Sequence, residues 1–407
     1  MLASIWQDIR YALRTIRQQP LFATVAIASL ALGIGLNAAV FTVVDALLLR
    51  PLPIHEPDRL TSVFTSHEHG EMFGTTSYPD LVDLANENST FSALAGRSMM
   101  FAPVSLPADP ASGGTASARP GSVNRLAMGE VVTANYFSVL GVAPALGRAF
   151  TPDEDRGEGA HPVVMLSDRL WRQAFGAAPD VIGRTLTITN RPYTIVGVAP
   201  PEFEGLMPGV RMELWIPVSM VEDIEPVGMQ ATVASPGRTR LERRGSRWMF
   251  VVGRLKPGES IESAKANLDA IMARLGAAYP GSNADRRLQV ASAASMRVHP
   301  DVDGAIRPAG LVMLGAVGLV LLVACANLAS MLLARGVARS RELALRSALG
   351  AARIRLVRQL AVESLVLAVA AGVLGLLLKK SIASKESEWR PRTMEKQAAF
   401  TTRTPAA

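Results

Sequence analysis

Three long apolar runs constrain this chain more than any other feature of its sequence. They cover residues 21–49, 311–334 and 360–378, and their only charged residues are Asp45 and Glu363. A helix needs about 20 apolar residues to cross the hydrocarbon core of a bilayer. A buried helix of a soluble domain would normally show a polar face, which these runs lack. The sequence therefore predicts a membrane α-helical protein with three spans.

The first run predicts an uncleaved anchor rather than a signal peptide, whose apolar core is only about 7–15 residues long. Its 29 residues would form a helix about 44 Å long, against about 30 Å of hydrocarbon. We expect its outer end, with Asn37 and Asp45, to extend into water as a stalk. Ahead of it, residues 1–20 place apolar side chains at helical spacing, which is typical of a helix in the membrane interface.

Basic residues predict the orientation of the chain. Residues 1–20 hold three arginines against one aspartate, and residues 334–359 hold seven arginines against one glutamate. Cytoplasmic flanks of membrane spans are enriched in Lys and Arg, so both flanks are predicted to be cytoplasmic. Residues 50–308 would then lie outside the cytoplasm. The net charge of +7 is thus explained by these two cytoplasmic flanks together with the basic tail 379–407, and we expect no nucleic-acid partner.

Residues 50–308 mix helix and strand signals and predict an α+β extracytoplasmic domain. Strands are expected at 60–65, 131–133, 162–166, 185–189, 193–198, 248–255 and 288–294. Ser77, Ser167 and Ser260 each precede a helical pattern and are candidate N-caps. Residues 190–191 are predicted to form the turn of a hairpin.

Small residues recur every four positions in all three apolar runs. The stripes are Ala31, Gly35 and Ala39; Ala326, Ser330 and Ala334; and Ser364, Ala368 and Gly372. Such spacing lets membrane helices approach closely, so we expect a helical bundle or a dimer. Asn37 and Asn327 are costly in lipid and are expected to hydrogen-bond between helices.

No residue pattern argues for catalysis. The chain has neither a G-x-x-x-x-G-K-[ST] nor a G-x-S-x-G motif. The one cysteine, Cys325, lies inside the second apolar run, which is a poor place for a nucleophile. His67, Glu68 and His69 could supply half of a metal site, but a polar loop is the simpler interpretation because no further ligand cluster is evident. We expect a chain that is not an enzyme and holds no metal or cofactor.

The basic segment 335–359 is the most informative stretch for function. Gly350 divides two helical patterns, which predicts a short cytoplasmic hairpin between the second and third spans. Such a hairpin could lie on anionic lipid, bind nucleic acid or dock a soluble partner. It contains no aromatic residue to stack on bases, which disfavours nucleic acid.

A family resemblance rests on short motifs found in chain order. The hairpin sequence RELALRSALGA at 341–351, followed by Glu363-Ser364, resembles the R-E-x-x-x-R-x-A-L-G-A…E-S signature of FtsX/MacB-type ABC transporter permeases. The segments LGIGLN, LLRPLP and ACAN, at 32–37, 48–53 and 324–327, are similar to the duplicated-permease branch of that family. The segments NYFSVLG, VIGRTL and LKPG, at 135–141, 181–186 and 255–258, resemble its periplasmic core domain.

The resemblance implies a permease of the inner membrane that works with a separate ABC ATPase. Such permeases act as homodimers or permease–permease pairs, and ATP-driven closure moves the stalk helices and the periplasmic domain. MacB-like exporters expel antibiotics, peptides or lipoproteins together with periplasmic partners such as an adaptor. In this sequence the ATPase contact maps onto Glu342, Arg346, Leu349, Gly350 and Ala351.

The chain departs from the family pattern at its C-terminal end. The minimal permease of the family has four spans, whereas three apolar runs are present here. Residues 379–407 hold four of the six lysines and no apolar run, so we expect a disordered tail that follows an early stop or frameshift. Two alternatives stay open: a membrane-anchored sensor or binding module, and an inactive truncated permease.

Overall fold

The computed structural model describes residues 20–45, 54–67, 72–107, 123–224, 239–293, 300–338 and 365–375, together with positions 10, 14, 17, 18, 358, 362 and 377. The chain divides into two compact units. One is formed by Met1–Leu49 with Ala305–Ala407, and the other by Arg50–Gly304.

The described helices and strands alternate along the chain. The helices are α1 (Pro20–Val44), α2 (Tyr78–Glu87), α3 (Tyr136–Leu140), α4 (Asp168–Phe175), α5 (Ile261–Ala278), α6 (Pro280–Asn283), α7 (Pro300–Ala338) and α8 (Leu365–Gly375). The strands are β1 (Leu60–His67), β2 (Thr76–Ser77), β3 (Phe91–Leu106), β4 (Val123–Val132), β5 (Leu146–Gly147), β6 (Val163–Leu166), β7 (Thr185–Ile188), β8 (Arg191–Val198), β9 (Leu214–Pro217), β10 (Arg247–Leu255) and β11 (Arg286–Ser292).

Two of the described helices are long and apolar enough to cross a membrane. The candidate spans are Ala23–Thr42 in α1 and Pro308–Met331 in α7. Of the third predicted span, 360–378, the structure describes α8 and the single positions 362 and 377. Within the described residues α8 measures about 17 Å, against about 30 Å of hydrocarbon, so that part of the chain contains two candidate spans and not the three predicted.

The other predicted segments of this unit are only partly described. Positions 10, 14, 17 and 18 of the predicted interfacial helix are helical, and its remaining residues lie outside the described part. Helix α7 continues to Ala338, which places the start of the predicted basic hairpin in a helix. The tail 379–407 lies wholly outside the described residues.

In the described part of the second unit, eleven strands form one mixed sheet. The strand order is β11-β1-β10-β3-β4-β9-β6-β8-β5, with β2 paired to β10 and β7 paired to both β3 and β8. The pairs β4–β9 and β6–β8 are parallel, and the other pairs are antiparallel. The predicted α+β architecture is therefore confirmed.

Two hydrophobic cores cover the two faces of this sheet. Alternate residues of one strand point to opposite faces, so Leu94 and Val251 belong to one core while Ala95 and Val252 belong to the other. The first core contains the apolar sides of α2, α4 and α5. The second contains α3, together with Phe150 and Phe203 from later loops and Trp215 of β9.

The structure confirms the predicted helix starts and corrects one turn. The hydroxyls of Ser77, Ser167 and Ser260 accept hydrogen bonds from backbone N–H groups three residues on, at 3.3, 3.1 and 3.1 Å. The predicted hairpin is present as β7 and β8. Its two loop residues are Thr189 and Asn190, with φ of 47° and 65°, and not 190–191, since the tight hairpin turn needs positive φ at both positions.

Candidate functional site

The predicted ATPase contacts fall in the part of the chain that the structure leaves undescribed. Described residues stop at Ala338 and resume at the single position Arg358. The undescribed stretch includes all five predicted contact residues: Glu342, Arg346, Leu349, Gly350 and Ala351. Their role stays a prediction from the family motif.

The first small-residue stripe lies at a contact between α1 and α8. Ala31 is 1% exposed, and a Cβ added to Gly35 would lie 3.3 Å from the carbonyl oxygen of Gly375. A Cβ on Gly375 would lie 3.0 Å from the carbonyl oxygen of Ala31. Ala39, the third member of the stripe, is half-buried. The backbones of the two helices therefore approach each other through glycine.

The other two stripes do not line the contacts among these helices. Ala326, Ser330 and Ala334 are exposed on α7, whereas Leu321 and Ala324 lie against Gly33 of α1. On α8, Ala368 is exposed and a Cβ on Gly372 would meet nothing within 4 Å, while Leu367 and Ala371 are fully buried. Ser364 lies outside the described residues.

One of the two membrane asparagines has an interhelical partner. The Asn37 side-chain amide of α1 donates a hydrogen bond of 3.2 Å to the carbonyl oxygen of Val317 on α7. Asn327 is exposed and makes no hydrogen bond within the described part of the chain.

The first and last long strands of the outer domain, β1 and β11, lie together at one edge of its sheet. Strand β1, which follows the first apolar helix, pairs antiparallel with β11, which precedes α7. Their register runs from Thr61 opposite Ser292 to His67 opposite Arg286, and Ala293 N–H donates to the Leu60 carbonyl oxygen at 2.9 Å. The start of β1 and the end of β11 are therefore held side by side.

A compact turn precedes β1, and we name residues 54–59 the proximal turn. His55 N–H donates to the Leu140 carbonyl oxygen of α3 at 3.2 Å. The Arg59 guanidinium donates two bonds, at 3.1 and 2.7 Å, to the carbonyl oxygen of Leu255 at the end of β10. Gly141 follows α3 with φ of 68°, and a Cβ there would lie 2.6 Å from the Cβ of His55. Both the turn of the backbone and the close approach of the two segments require glycine.

Arg254 of β10 connects the proximal turn to α3. Its Nε donates to the Val139 carbonyl oxygen at 2.8 Å, and its Nη2 donates to the His55 carbonyl oxygen at 2.7 Å. Its Nη1 lies 3.7 Å from a carboxylate oxygen of Glu56, and the side chain is 12% exposed. Burial, together with the nearby charge of Arg59, lowers the pKa of Arg254.

A buried carboxylate sits deeper in the same face of the sheet. Glu130 is fully buried and accepts hydrogen bonds from Arg97 Nη1 at 2.8 Å, Tyr136 Oη at 3.0 Å and Trp215 Nε1 at 2.9 Å. Burial, and then the charge of Glu130, raise the pKa of Tyr136, so its phenol remains a donor. This network ties α3 to β3, β4 and β9.

Asp155 is a carboxyl group whose pKa lies far above its ordinary value. Burial raises its pKa to about 7, although the Ala134 N–H donates to both of its oxygens at 2.8 and 2.9 Å and favours the ionised form. Burial and the neighbouring Asp155 also raise the pKa of Tyr78 to about 12.

The described residues contain no candidate for metal chemistry. No group of three or more His, Cys, Asp or Glu side chains is placed to hold a metal ion among them. Of the predicted half-site, His67 ends β1, and Glu68 and His69 lie outside the described residues. A polar cavity of about 320 Å³ opens near Arg191, but that side chain already donates to Asp223 at 2.7 Å.

Comparison with protein families identifies both parts of the chain. The profile described as MacB-like periplasmic core domain matches residues 23–271, and the profile described as FtsX-like permease C-terminal matches residues 314–384. Together with the two candidate spans, these matches define a membrane permease with a large extracytoplasmic domain. The chain belongs to the MacB-like, FtsX-type family of ABC transporter permeases, which places it in the inner membrane.

The relatives in this family are distant and longer. Macrolide export ATP-binding/permease protein MacB of Escherichia coli O157:H7 is 24% identical over 268 residues, which are 65% of this chain and 37% of the relative. The protein of the same name from Burkholderia thailandensis is 32% identical over 95 residues, 23% of this chain and 14% of the relative. The chain thus spans less than two fifths of the length of the curated relatives it matches.

Two solved structures are similar to part of this chain. The periplasmic region of MacB from Actinobacillus actinomycetemcomitans is 14% identical, with a TM-score of 0.38, covering 58% of this chain and 89% of that one. A domain of a permease protein from Porphyromonas gingivalis is 16% identical, with a TM-score of 0.41, covering 62% of this chain and 98% of that one.

Proposed function

We propose that this chain is the transmembrane subunit of an ABC-type exporter that carries ATPase-driven motion to its extracytoplasmic domain. The observation that carries the proposal is the way the domain is joined to its flanking helices. The strand after the first span and the strand before the second are paired neighbours over seven residue pairs. Displacement of either helix would reach the same edge of the sheet.

The chain would obtain its energy from another subunit. We propose that a separate ABC ATPase hydrolyses the nucleotide and docks on the basic segment 335–359. Family membership supports this, since the chain belongs to a family of ABC transporter permeases. In this proposal the chain itself is not an enzyme. It would function as a homodimer or a permease–permease pair, with a periplasmic adaptor as a further partner.

The proposed cargo belongs to the antibiotic, peptide or lipoprotein class. The support for this is that the relatives named above are macrolide export proteins. Two cavities in the described part of the outer domain are lined mostly by polar and charged side chains. We therefore propose that the domain acts on its cargo by movement rather than by enclosing it.

Crosslinking tests the proposed ATPase contact. A photo-crosslinking amino acid at Leu349, in the full chain in its own host membrane, is expected to capture a nucleotide-binding protein that mass spectrometry identifies. The same amino acid at Gly245, an exposed position of the outer domain where a Cβ would meet nothing within 4 Å, is the matched control and is expected to capture none. Capture of lipid alone at Leu349 would contradict the proposal and favour a sensor module or an inactive permease.

A further inference from the structure

The side chain of Arg254 holds together three segments that are far apart in sequence. Its acceptors lie 115 residues away at Val139 and 199 residues away at His55, while its own backbone is part of β10, between β1 and β3. Arginine suits this position because its planar guanidinium presents several donors in fixed directions at once. A lysine ammonium is a single point charge and cannot reproduce that geometry.

The segments that Arg254 joins differ in their surroundings. The proximal turn is at the surface, with a His55 side chain that is 70% exposed. Helix α3 is buried, and the Phe137 ring on it packs edge-to-face on Trp215 of β9 at 5.5 Å between centroids. Glu130 reinforces this region by accepting bonds from Tyr136 and Trp215. A close-packed interior of this kind transmits displacement with little deformation.

Glu56 adds a further constraint on the proximal turn. Its backbone is left-handed, with φ of 44°, a conformation that is strained for a residue with a side chain. The turn keeps this conformation while Arg254 and Arg59 bind it to α3 and to the end of β10. The turn is therefore held in one arrangement by contacts that reach into the domain.

We infer that Arg254 is a positioning residue that makes the proximal turn, α3 and β10 move as one body, so that movement of the first span reaches the aromatic core of the outer domain. This inference rests on the proposed function and adds the residue through which motion passes. It goes beyond the adjacency of β1 and β11, since Arg254 adds side-chain bonds to the backbone bond between His55 N–H and the Leu140 carbonyl oxygen and so fastens the turn to α3.

Hydrogen–deuterium exchange tests the inference on the full chain, reconstituted in nanodiscs with the ATPase captured at Leu349. The variants are Arg254→Met, Arg254→Lys and Gly141→Ala, which disturbs the same contact from the α3 side. The matched control is Arg172→Lys, an arginine on α4 that is paired with Asp168 and is 57% exposed. Exchange is measured without nucleotide and with a non-hydrolysable ATP analogue.

Without nucleotide, Arg254→Met is expected to speed exchange of the His55 and Gly141 amides by roughly 10-fold or more, because charged hydrogen bonds are lost. The paired amides of β6 and β8 should keep wild-type rates. Arg254→Lys is expected to show an intermediate effect, and Arg172→Lys none. Equal acceleration across the whole domain, or no change in the proximal turn, would overturn the inference and leave the proposed function intact.

With the analogue, wild-type chain is expected to change its exchange at α3, and Arg254→Met and Gly141→Ala are expected to lose that response while ATP hydrolysis continues. A purely structural role for Arg254 would lower thermal stability and leave the nucleotide response at α3 in place. If wild-type chain shows no nucleotide response anywhere in the domain, the proposed function itself fails and the inference fails with it.

Discussion

Glu130 is a carboxyl group that is fully buried in the outer domain. Isolated burial of a carboxylate is very costly, and the cost is offset here by three donors that converge on its two oxygens. Arg97 supplies the opposite charge. Burial lowers the pKa of Arg97, but the charge of Glu130 and its hydrogen bond outweigh that effect and raise it overall. The network fixes the relative positions of β3, β4, β9 and α3.

Replacing Glu130 with Gln is expected to destabilise the outer domain by about 3 kcal/mol, because Arg97 would be left buried without a counter-charge. The new side-chain amide nitrogen would also face one of the donors that now bind the carboxylate. Thermal unfolding of the full chain in detergent, followed by tryptophan fluorescence, should show a midpoint roughly 10 °C lower.

Glu213→Gln is the matched control for this substitution. Glu213 pairs with Arg125 through two bonds of 2.7 Å, but both side chains are partly exposed. Its replacement is expected to lower the free energy of unfolding by about 1 kcal/mol or less. Equal shifts for the two variants would contradict the special role assigned to Glu130.

Asp155 is expected to make the stability of the domain depend on pH. Its folded-state pKa of about 7 lies above its ordinary value, so between about pH 4 and 7 the native state binds more protons than the unfolded state. Stability should therefore fall as pH rises through this window and level off above it. The predicted loss is on the order of a few kcal/mol.

The measurement for Asp155 is the difference between two melting curves. Wild-type chain and Asp155→Asn are melted from pH 4 to pH 8, and the gap in midpoint is plotted against pH. Asn keeps an acceptor for the Ala134 N–H and does not titrate. The melting midpoint of the variant should therefore rise relative to that of the wild type as pH increases. Parallel curves would show that Asp155 titrates near its ordinary value.

At the scale of elements, local chemistry made several helices and strands predictable. A serine followed by an apolar helical pattern gave the starts of α2, α4 and α5, because the cap and the helix are neighbours in sequence. Strand β3 was not predicted, although it is 16 residues long. It contains Gly96 and Pro103, which disfavour strands, and its stability comes from pairing with β10, β4 and β7.

The candidate site was harder to predict than the fold. Arg254 occupies an ordinary position in a strand that the sequence did predict, and its importance comes from carbonyl groups that only the folded chain brings near it. Backbone acceptors leave no mark in the residue types of the sequence. The family motif at 341–351 was found because its residues are contiguous, and it lies in a different part of the chain from Arg254.

The contact between α1 and α8 should depend on Gly375. Leucine at this position would collide with the backbone of α1, since even a Cβ would lie 3.0 Å from the Ala31 carbonyl oxygen. Overpacking of this kind costs about 1–3 kcal/mol. Heating the full chain in detergent, followed by size-exclusion chromatography, should show that Gly375→Leu loses its monodisperse peak several degrees below the wild type.

Gly372→Leu is the matched control on the same helix. A Cβ at Gly372 meets nothing within 4 Å, so the added side chain has room. This variant is expected to behave as the wild type does. A similar loss of stability in both variants would mean that leucine perturbs α8 itself and not its contact with α1.

At the scale of the whole molecule, the distribution of charge in the sequence predicts which segments lie on the cytoplasmic side of the membrane. A reporter enzyme that is active only outside the cytoplasm is expected to be silent when fused after Gly350 and active when fused after Gly258. The reason is the excess of arginine around Gly350, which favours retention on the cytoplasmic side. Activity at both positions would contradict the predicted orientation and, with it, the proposed docking of an ATPase.

The pairing of β1 with β11 also decides how the outer domain bears mechanical load. Both chain connections leave from the same end of these two strands, so a pull applied to both at once loads them in the same direction and does not slide one past the other. A pull on one connection alone loads the ladder in shear, and its seven residue pairs would have to give way together. For forces directed along the strands, the sheet edge can thus withstand unequal loads on its two connections without unzipping pair by pair.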